Sequence, residues 1–139
     1  MAPSQDINIP QRPPMVMVDR LVEVSEVVTV TAFVIRPDNI LVEDGLFREP
    51  GLIENMAQSA AAGTGARSVG PGEEAPVGFI GGIRHLEISA FPKVGEEITT
   101  RVTVLHNVME AAVVQAEVFL AGRCIASCEM KIFLKVTTS

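Results

Sequence analysis

The sequence predicts an α+β domain in which a single central helix is wrapped by a curved antiparallel sheet of about six strands. Two observations lead to this prediction. The predicted elements follow the order β-β-α-β-β-β-β, without the strand–helix alternation that builds a parallel sheet. The one convincing helix, at residues 50–67, consists mostly of small side chains, which suits a helix enclosed by other parts of the protein.

Composition and charge are those of one globular domain, and we treat residues 1–139 as a single unit. Hydrophobic residues make up 47% of the chain and charged residues 20%, so it can fold around a core. The net charge of −6 argues against nucleic acid as a partner, because binding to phosphates needs clustered Lys and Arg.

Nothing in the sequence resembles a signal peptide or a membrane span, so we expect a cytoplasmic protein. The N-terminus lacks a basic segment followed by an apolar core, and no apolar run approaches the roughly 18 residues of a span. Two cysteines cannot build a disulfide scaffold. Cys124 and Cys128 are four residues apart in a predicted strand, so we expect both on one face as a buried structural pair. We expect no metal and no cofactor.

Along the sequence, two predicted strands precede the helix and four follow it. Residues 1–14 are an irregular arm, because the four prolines there cannot join a strand ladder. Two β-branched runs at residues 15–24 and 27–35 alternate with the period of a strand. Residues 37–49 have the composition of a loop, with one helical turn at most. A glycine-bearing loop at residues 69–74 follows the helix. The four later strands are predicted at residues 77–89, 96–108, 112–121 and 123–136.

The helix at residues 50–67 begins with a proline, whose missing N–H is harmless in the first turn. Glu49 beside it interacts favourably with the positive end of the helix dipole. Nearly every side chain from Met56 to Ala66 is Ala, Gly, Ser or Thr, and no charge occurs between Glu54 and Arg67. A surface helix would have a charged face. We therefore expect the sheet to curve around this helix, as in the hot-dog fold.

Glu54 is the residue of this helix that could carry chemistry. Gln58 lies four residues on and shares its face, so it could orient the carboxyl group by a hydrogen bond. The first N–H groups, near Gly51 and Leu52, could polarise a carbonyl oxygen. This combination fits α-proton chemistry on a thioester. The alternative is that Glu54 is partly exposed near the helix N-terminus and only stabilises the dipole.

Three stretches of the chain resemble the hot-dog 3-hydroxyacyl-ACP dehydratases. The helix start, Pro50–Gln58, resembles the family's Pro-Gly turn followed by Glu-x-Met-Ala-Gln. The opening, Pro10–Arg20, resembles its Pro-His-Arg-x-Pro-(apolar)-Val-Asp-Arg segment. Gly78–Arg84 with Pro92–Glu96 resembles the third strand and the turn after it. Together the stretches extend over nearly the whole chain.

The resemblance implies dehydration of a (3R)-hydroxyacyl-ACP to the trans-2-enoyl thioester, in fatty-acid or aryl-polyene synthesis. In that family a helix Glu or Asp works with a His of the preceding loop, across a dimer interface. The resemblance makes Glu54 the catalytic acid, Gln58 its helper, and Gly51 and Leu52 the N–H donors to the thioester carbonyl. The implied partners are an acyl-ACP or acyl-CoA substrate and a second hot-dog subunit, in a homodimer or a heterodimer.

The loop histidine of the family is missing here. Asp38–Glu49 contains no His and is shorter than the corresponding loop. Asn39 lies roughly where that histidine would stand, and it could hold a substrate hydroxyl group or a water molecule. We expect both histidines to be ordinary surface or edge residues. The alternative is that His85 replaces the missing histidine, and it is a better candidate for this than His106. The short loop resembles dehydratase-like proteins associated with aryl-polyene and flexirubin-type pigments.

Two other functions are compatible with the missing histidine. A hot-dog thioesterase would need a water molecule activated near Glu54, and it would release a free thiol. A catalytically inert subunit would only bind acyl chains and pair with an active hot-dog subunit, and it would show no activity alone.

Overall fold

One large antiparallel sheet and one long helix make up most of the structure. The computed structural model describes residues 7–68, 78–108 and 110–134. The strands of the large sheet are β1 (Arg20–Val24), β2 (Val28–Val34), β5 (Gly78–Ile88), β6 (Glu97–Val108), β7 (Ala111–Leu120) and β8 (Arg123–Leu134). Between β2 and the helix α1 (Glu49–Ser68) lie two short paired strands, β3 (Val42–Glu43) and β4 (Leu46–Phe47).

The strands of the large sheet follow the order β1-β2-β6-β7-β8-β5, and every neighbouring pair is antiparallel. This confirms the predicted α+β class and the six-stranded antiparallel sheet. β5 is the next described element after the helix, and within the described residues it pairs only with β8, at the far edge of the sheet. Helix α1 lies on one face of this sheet, where it contacts β1, β2, β5, β6 and β7.

The helix packs against this face through its apolar residues and its glycines. Leu52 and Met56 are fully buried in the main core with the aromatic pair Phe33 and Phe47. Gly63 lies against β2, where an added Cβ would collide with the side chain of Thr29. The predicted enclosure of a helix made of small residues is therefore confirmed, because these side chains let the backbone approach the strands.

The N-terminal arm is part of the packed structure. Ile9 is buried against Leu21 and Ala62 in a second apolar cluster. A Cβ at Gly65 would collide with the backbone carbonyl of Asn8, so the arm lies directly on the end of the helix. The arm closes with a turn in which the Met15 N–H donates to the Arg12 carbonyl at 2.9 Å.

The structure differs from the sequence prediction at two places before the helix. The first strand begins at Arg20, not at Met15, because Met15 and Met17 form backbone hydrogen bonds with side chains of the helix. The predicted loop at residues 37–49 contains the β3–β4 hairpin and no helical turn, because Asp44 and Gly45 have φ angles of 53° and 77° and reverse the chain. Residues 1–6 of the arm, the loop at 69–74 and the strand end at 135–136 lie outside the described residues.

The expectation that the two cysteines share one face is wrong. Cys124 is exposed, whereas Cys128 is buried. The register between β7 and β8 shifts between Val118 and Phe119, and this irregularity changes the alternation along β8. Burial raises the pKa of the Cys128 thiol to about 11, so this group is protonated at neutral pH.

Candidate functional site

Glu54 lies in the second turn of α1, and its partly buried side chain lines a cavity of about 270 Å³. The helix forms one wall of this cavity, the N-terminal arm a second, and the start of β5 with the end of β8 a third. The other lining residues are Pro10, Gln11, Ala57, Ala61, Thr64, Gly78, Phe79, Ile80 and Ile132. Most of them are apolar or small, so the carboxyl group faces a largely apolar space.

Gln58 is fully buried and holds the Glu54 carboxyl group from one side. Its Oε1 accepts a hydrogen bond from the Met17 N–H at 2.6 Å. Its Nε2 donates to the Met15 carbonyl at 2.7 Å and to Glu54 Oε2 at 2.9 Å. Because the Met17 N–H can bond only to an acceptor, it determines which end of the amide faces Glu54. Glu54 therefore receives a hydrogen-bond donor from Gln58.

Asn55 is fully buried on the other side of the helix. Its Nδ2 donates to the Met17 carbonyl at 2.7 Å, and its Oδ1 accepts from Thr100 Oγ1 at 2.5 Å. One turn later, Ser59 Oγ donates to the Asn55 carbonyl and lies 2.7 Å from Thr31 Oγ1. These bonds fix the helix to β2, β6 and the segment before β1, and so determine where Glu54 stands. The buried threonines of the two strands were the available sequence signal.

The helix start is fixed by packing and by one backbone hydrogen bond. The Leu52 N–H donates to the Arg48 carbonyl at 3.1 Å, so it is already paired within the first turn. At Gly51 an added Cβ would lie 2.5 Å from Cε1 of Phe47. Phe47 is fully buried with its ring centroid 5.5 Å from that of Phe33, so it has little room to yield. Glycine at position 51 thus lets the Phe47 ring pack directly against the helix backbone.

The structure does not bring Asn39 or the histidines into the Glu54 cavity. Asn39 Oδ1 accepts from the Leu41 N–H at 2.8 Å, and its Nδ2 donates to Met17 Sδ at 3.3 Å, so both ends of the amide already have partners. His85 is exposed on β5, about 16 Å along the strand from Ile80 at the usual rise per residue. It has a φ of 55° at an irregularity in the β5–β8 register. His106 is exposed on β6.

Within the described residues, Glu54 is the one titratable side chain that lines this cavity. No group of three or more His, Cys, Asp or Glu suited to a metal ion occurs among them. No helix in the same residues is both long and apolar enough to cross a bilayer. Gln11, which the sequence did not single out, also lines the cavity. Its Oε1 is buried and has no hydrogen-bond partner.

Several solved structures share this fold at low sequence identity. The dehydratase heterocomplex ApeI:P from Xenorhabdus doucetiae matches with a TM-score of 0.83 and 18% identity over 93% of this chain and 89% of that chain. A hypothetical thioesterase with coenzyme A from Streptococcus pneumoniae matches with a TM-score of 0.68 and 12% identity over 86% and 87%. The PaaI protein of the phenylacetic acid degradation operon of E. coli has a TM-score of 0.66 and 13% identity over 81% and 80%.

Sequence comparison provides the family. No curated protein matches this sequence significantly. The family model for ApeP-like proteins, described as ApeP dehydratase, matches residues 4–138. With nearly its whole length matched and a hot-dog architecture, this chain belongs to the ApeP-like dehydratase family.

Proposed function

We propose that this protein dehydrates a 3-hydroxyacyl thioester carried by an acyl carrier protein to the trans-2-enoyl thioester. Family membership supports the class of reaction. One observation carries the assignment of the site: Glu54 is the titratable group of an otherwise mostly apolar cavity, and Gln58 binds its Oε2 at 2.9 Å. That contact leaves Oε1 of Glu54 for the substrate.

The elimination breaks the C2–H and C3–O bonds and forms the C2=C3 double bond. In the proposal, Glu54 gives its proton to the departing hydroxyl group, which leaves as water. A base takes the proton from C2, and this proton later restores Glu54. Negative charge develops on the thioester oxygen as the C2 proton leaves. We assign the donor to that oxygen to the Gly51 N–H, since the Leu52 N–H is already bonded to Arg48.

The base must come from outside the described lining of the cavity. We propose that a second hot-dog subunit supplies it. In a homodimer the candidate is His85 of the second copy, because His85 lies on the β5 edge that a second subunit would cover. In a heterodimer the base belongs to a different chain. Asn39 keeps a supporting role as a residue that shapes the loop before the helix.

The β5 edge supports a two-subunit assembly. β5 is 11 residues long, and among the described strands its one sheet neighbour is β8. Its exposed apolar side chains are Phe79, Ile80, Ile83 and Leu86, with exposed fractions from 37% to 55%. A long apolar edge strand readily pairs with another chain. The structurally similar ApeI:P is itself a heterocomplex.

The assembly is tested by placing a charge on this edge. We expect Ile83→Lys to shift the protein from dimer to monomer in analytical ultracentrifugation, because a lysine disfavours edge pairing. The matched control is Val22→Lys on β1, the opposite edge of the sheet, where Val22 is 51% exposed. If the dimer persists in Ile83→Lys but dissociates in Val22→Lys, the interface lies at the β1 edge, and the proposal of a β5 interface is wrong.

A second cavity supports an acyl chain as ligand. It has a volume of about 150 Å³ and shares Thr64 and Ile132 with the Glu54 cavity. An apolar chain could therefore extend along the helix from Glu54 past Thr64. We also propose a cytoplasmic site of action, since two unpaired cysteines fit a reducing compartment.

The deciding experiment follows the thioester product by mass spectrometry, for the protein alone and together with a second hot-dog subunit. Wild type should convert 3-hydroxyacyl-ACP to enoyl-ACP, and Glu54→Gln should not. Glu49→Gln is the matched control, because Glu49 is an exposed carboxylate at the start of the same helix. Release of free thiol would indicate a thioesterase. Absence of any conversion in either assembly would indicate an inert acyl-binding subunit.

A further inference from the structure

Gln11 has an unused hydrogen-bonding atom at the Glu54 cavity. Its side-chain Oε1 is the one buried side-chain nitrogen or oxygen atom of the described residues that has no hydrogen-bond partner. Most buried polar atoms in folded proteins are paired, because an unpaired one loses its bonds to water without replacement. Because Gln11 also lines the cavity, a ligand there could bring the donor that this atom lacks.

The position of Gln11 is well defined by its neighbours in the arm. Arg12 Nη1 donates to the carbonyls of Ile9 at 2.8 Å and of Gln11 at 3.0 Å, which folds the segment on itself. Ile9 is buried against Leu21 and Ala62. The Gln11 amide therefore projects from an anchored segment of backbone, as a pre-organised binding group requires.

Among the described residues that line this cavity, no polar side chain bonds to Gln11 Oε1 in the structure. Thr64 Oγ1 donates to the Ala60 carbonyl within its own helix at 3.2 Å. Glu54 Oε2 already receives its hydrogen bond from Gln58. The remaining lining residues have no polar side chain. A ligand with a hydrogen-bond donor in this cavity would therefore supply a partner that the lining residues do not.

We propose that the Gln11 amide turns toward the cavity when substrate binds, so that its Oε1 accepts a hydrogen bond from the 3-hydroxyl group and holds this leaving group at Glu54. This inference rests on the proposed function and names the group that the site recognises. The 3-hydroxyl is the one donor in the reacting part of a 3-hydroxyacyl thioester. Its hydrogen bonds to Gln11 while its oxygen receives the proton of Glu54, and the C3–O bond breaks to release water. The enoyl product has no such donor, so Gln11 favours substrate over product.

The test compares two ligands that differ only in this hydroxyl group: 3-hydroxyoctanoyl-pantetheine and octanoyl-pantetheine. Binding is measured by calorimetry on the full-length protein in the assembly that it forms, with Glu54→Gln present so that the hydroxy ligand is not consumed. With Gln11 intact, the hydroxy ligand should bind about tenfold more tightly, which is the usual contribution of one hydrogen bond. With Gln11→Leu, the two ligands should bind equally. Gln115→Leu on β7, outside the cavity, is the matched control and should keep the tenfold ratio.

A second measurement separates ligand binding from a structural role. Leucine removes a buried acceptor that has no partner, so Gln11→Leu should unfold at an equal or higher temperature than wild type. A structural role predicts a lower unfolding temperature. A tenfold ratio that persists in Gln11→Leu, or no binding of either ligand, would overturn the proposal. The proposed functions of the two residues can also fail separately. If Gln11→Leu abolishes the affinity ratio but Glu54→Gln still dehydrates the substrate fully, the Gln11 contact stands and the proposed role of Glu54 is refuted.

Discussion

The polar side chains on the two sides of helix α1 differ in how many of their hydrogen-bonding atoms have partners. We call the side of Asn55 and Ser59 the sealed side, and the side of Glu54, which faces Gln11 of the arm across the cavity, the cavity side. On the sealed side, Asn55 and Ser59 form hydrogen bonds with Thr100, Thr31 and backbone carbonyls. On the cavity side, Gln11 has an unpaired oxygen, and Glu54 has one oxygen held by Gln58. A buried amide with all its partners holds the fold in place, whereas an amide with a free acceptor can bind something else. Substitutions on the two sides should therefore affect different properties.

The largest effect should be on catalysis and should come from the cavity side. We expect Glu54→Gln to lower kcat at least about a hundredfold, which is the usual contribution of a general acid. The free energy of unfolding should change by no more than about 0.5 kcal/mol, because the side chain is only partly buried and keeps its shape. Steady-state kinetics and urea denaturation check the two parts. A large loss of stability would show that Glu54 has a structural role, as the residues of the sealed side do.

Substitutions on the sealed side should lower the free energy of unfolding. Asn55→Leu removes the donor to the Met17 carbonyl and the acceptor of the Thr100 hydroxyl, and it leaves both buried groups unpaired. We expect the free energy of unfolding to fall by about 3 kcal/mol, measured in urea. Adding Thr100→Val should recover part of this loss, since no unpaired hydroxyl then remains. Asn107→Leu, at an exposed position, is the control and should have little effect. Equal stability losses for Asn55→Leu and Asn107→Leu would contradict the proposed network.

The smallest effect concerns Cys128, which lies 3.7 Å from Met56 Sδ on the sealed side. Its pKa is raised from an ordinary value near 9 to about 11 by burial. Above pH 9 the unfolded chain loses this proton while the folded chain keeps it, so the free energy of unfolding should fall between about pH 9 and pH 11. Cys128→Ala should flatten that part of the profile. At neutral pH, iodoacetamide should label the exposed Cys124 and spare Cys128 in the native protein.

Features that depend on local spacing were predictable from the sequence. The small residues predicted an enclosed helix, and its observed bounds, Glu49–Ser68, differ from the predicted 50–67 by one residue at each end. The spacing of four between Glu54 and Gln58 predicted that they share a face, and the structure contains a hydrogen bond between them. Both patterns lie within one continuous segment of the chain, so the spacing of its residues is enough to predict them.

Features that depend on distant partners were not predictable in the same way. Gln11 is notable because its side-chain Oε1 has no hydrogen-bond partner, and no local sequence pattern indicates this. Asn55 is buried because Met17 and Thr100 meet it from other parts of the chain. The β8 irregularity separates the faces of Cys124 and Cys128 although their spacing suggests one face. The catalytic assignment of Glu54 stays a prediction, since its chemistry depends on a base that the described cavity lining does not contain.

The β5 edge would make the stability of this protein depend on a second chain if that chain covers it. A folded chain with this edge uncovered is open to pairing with unrelated strands and to aggregation. If a second subunit covers it, the folded state gains stability by mass action, so the unfolding temperature depends on how much of both chains is present. Balanced expression of the two chains then becomes part of what keeps the protein folded.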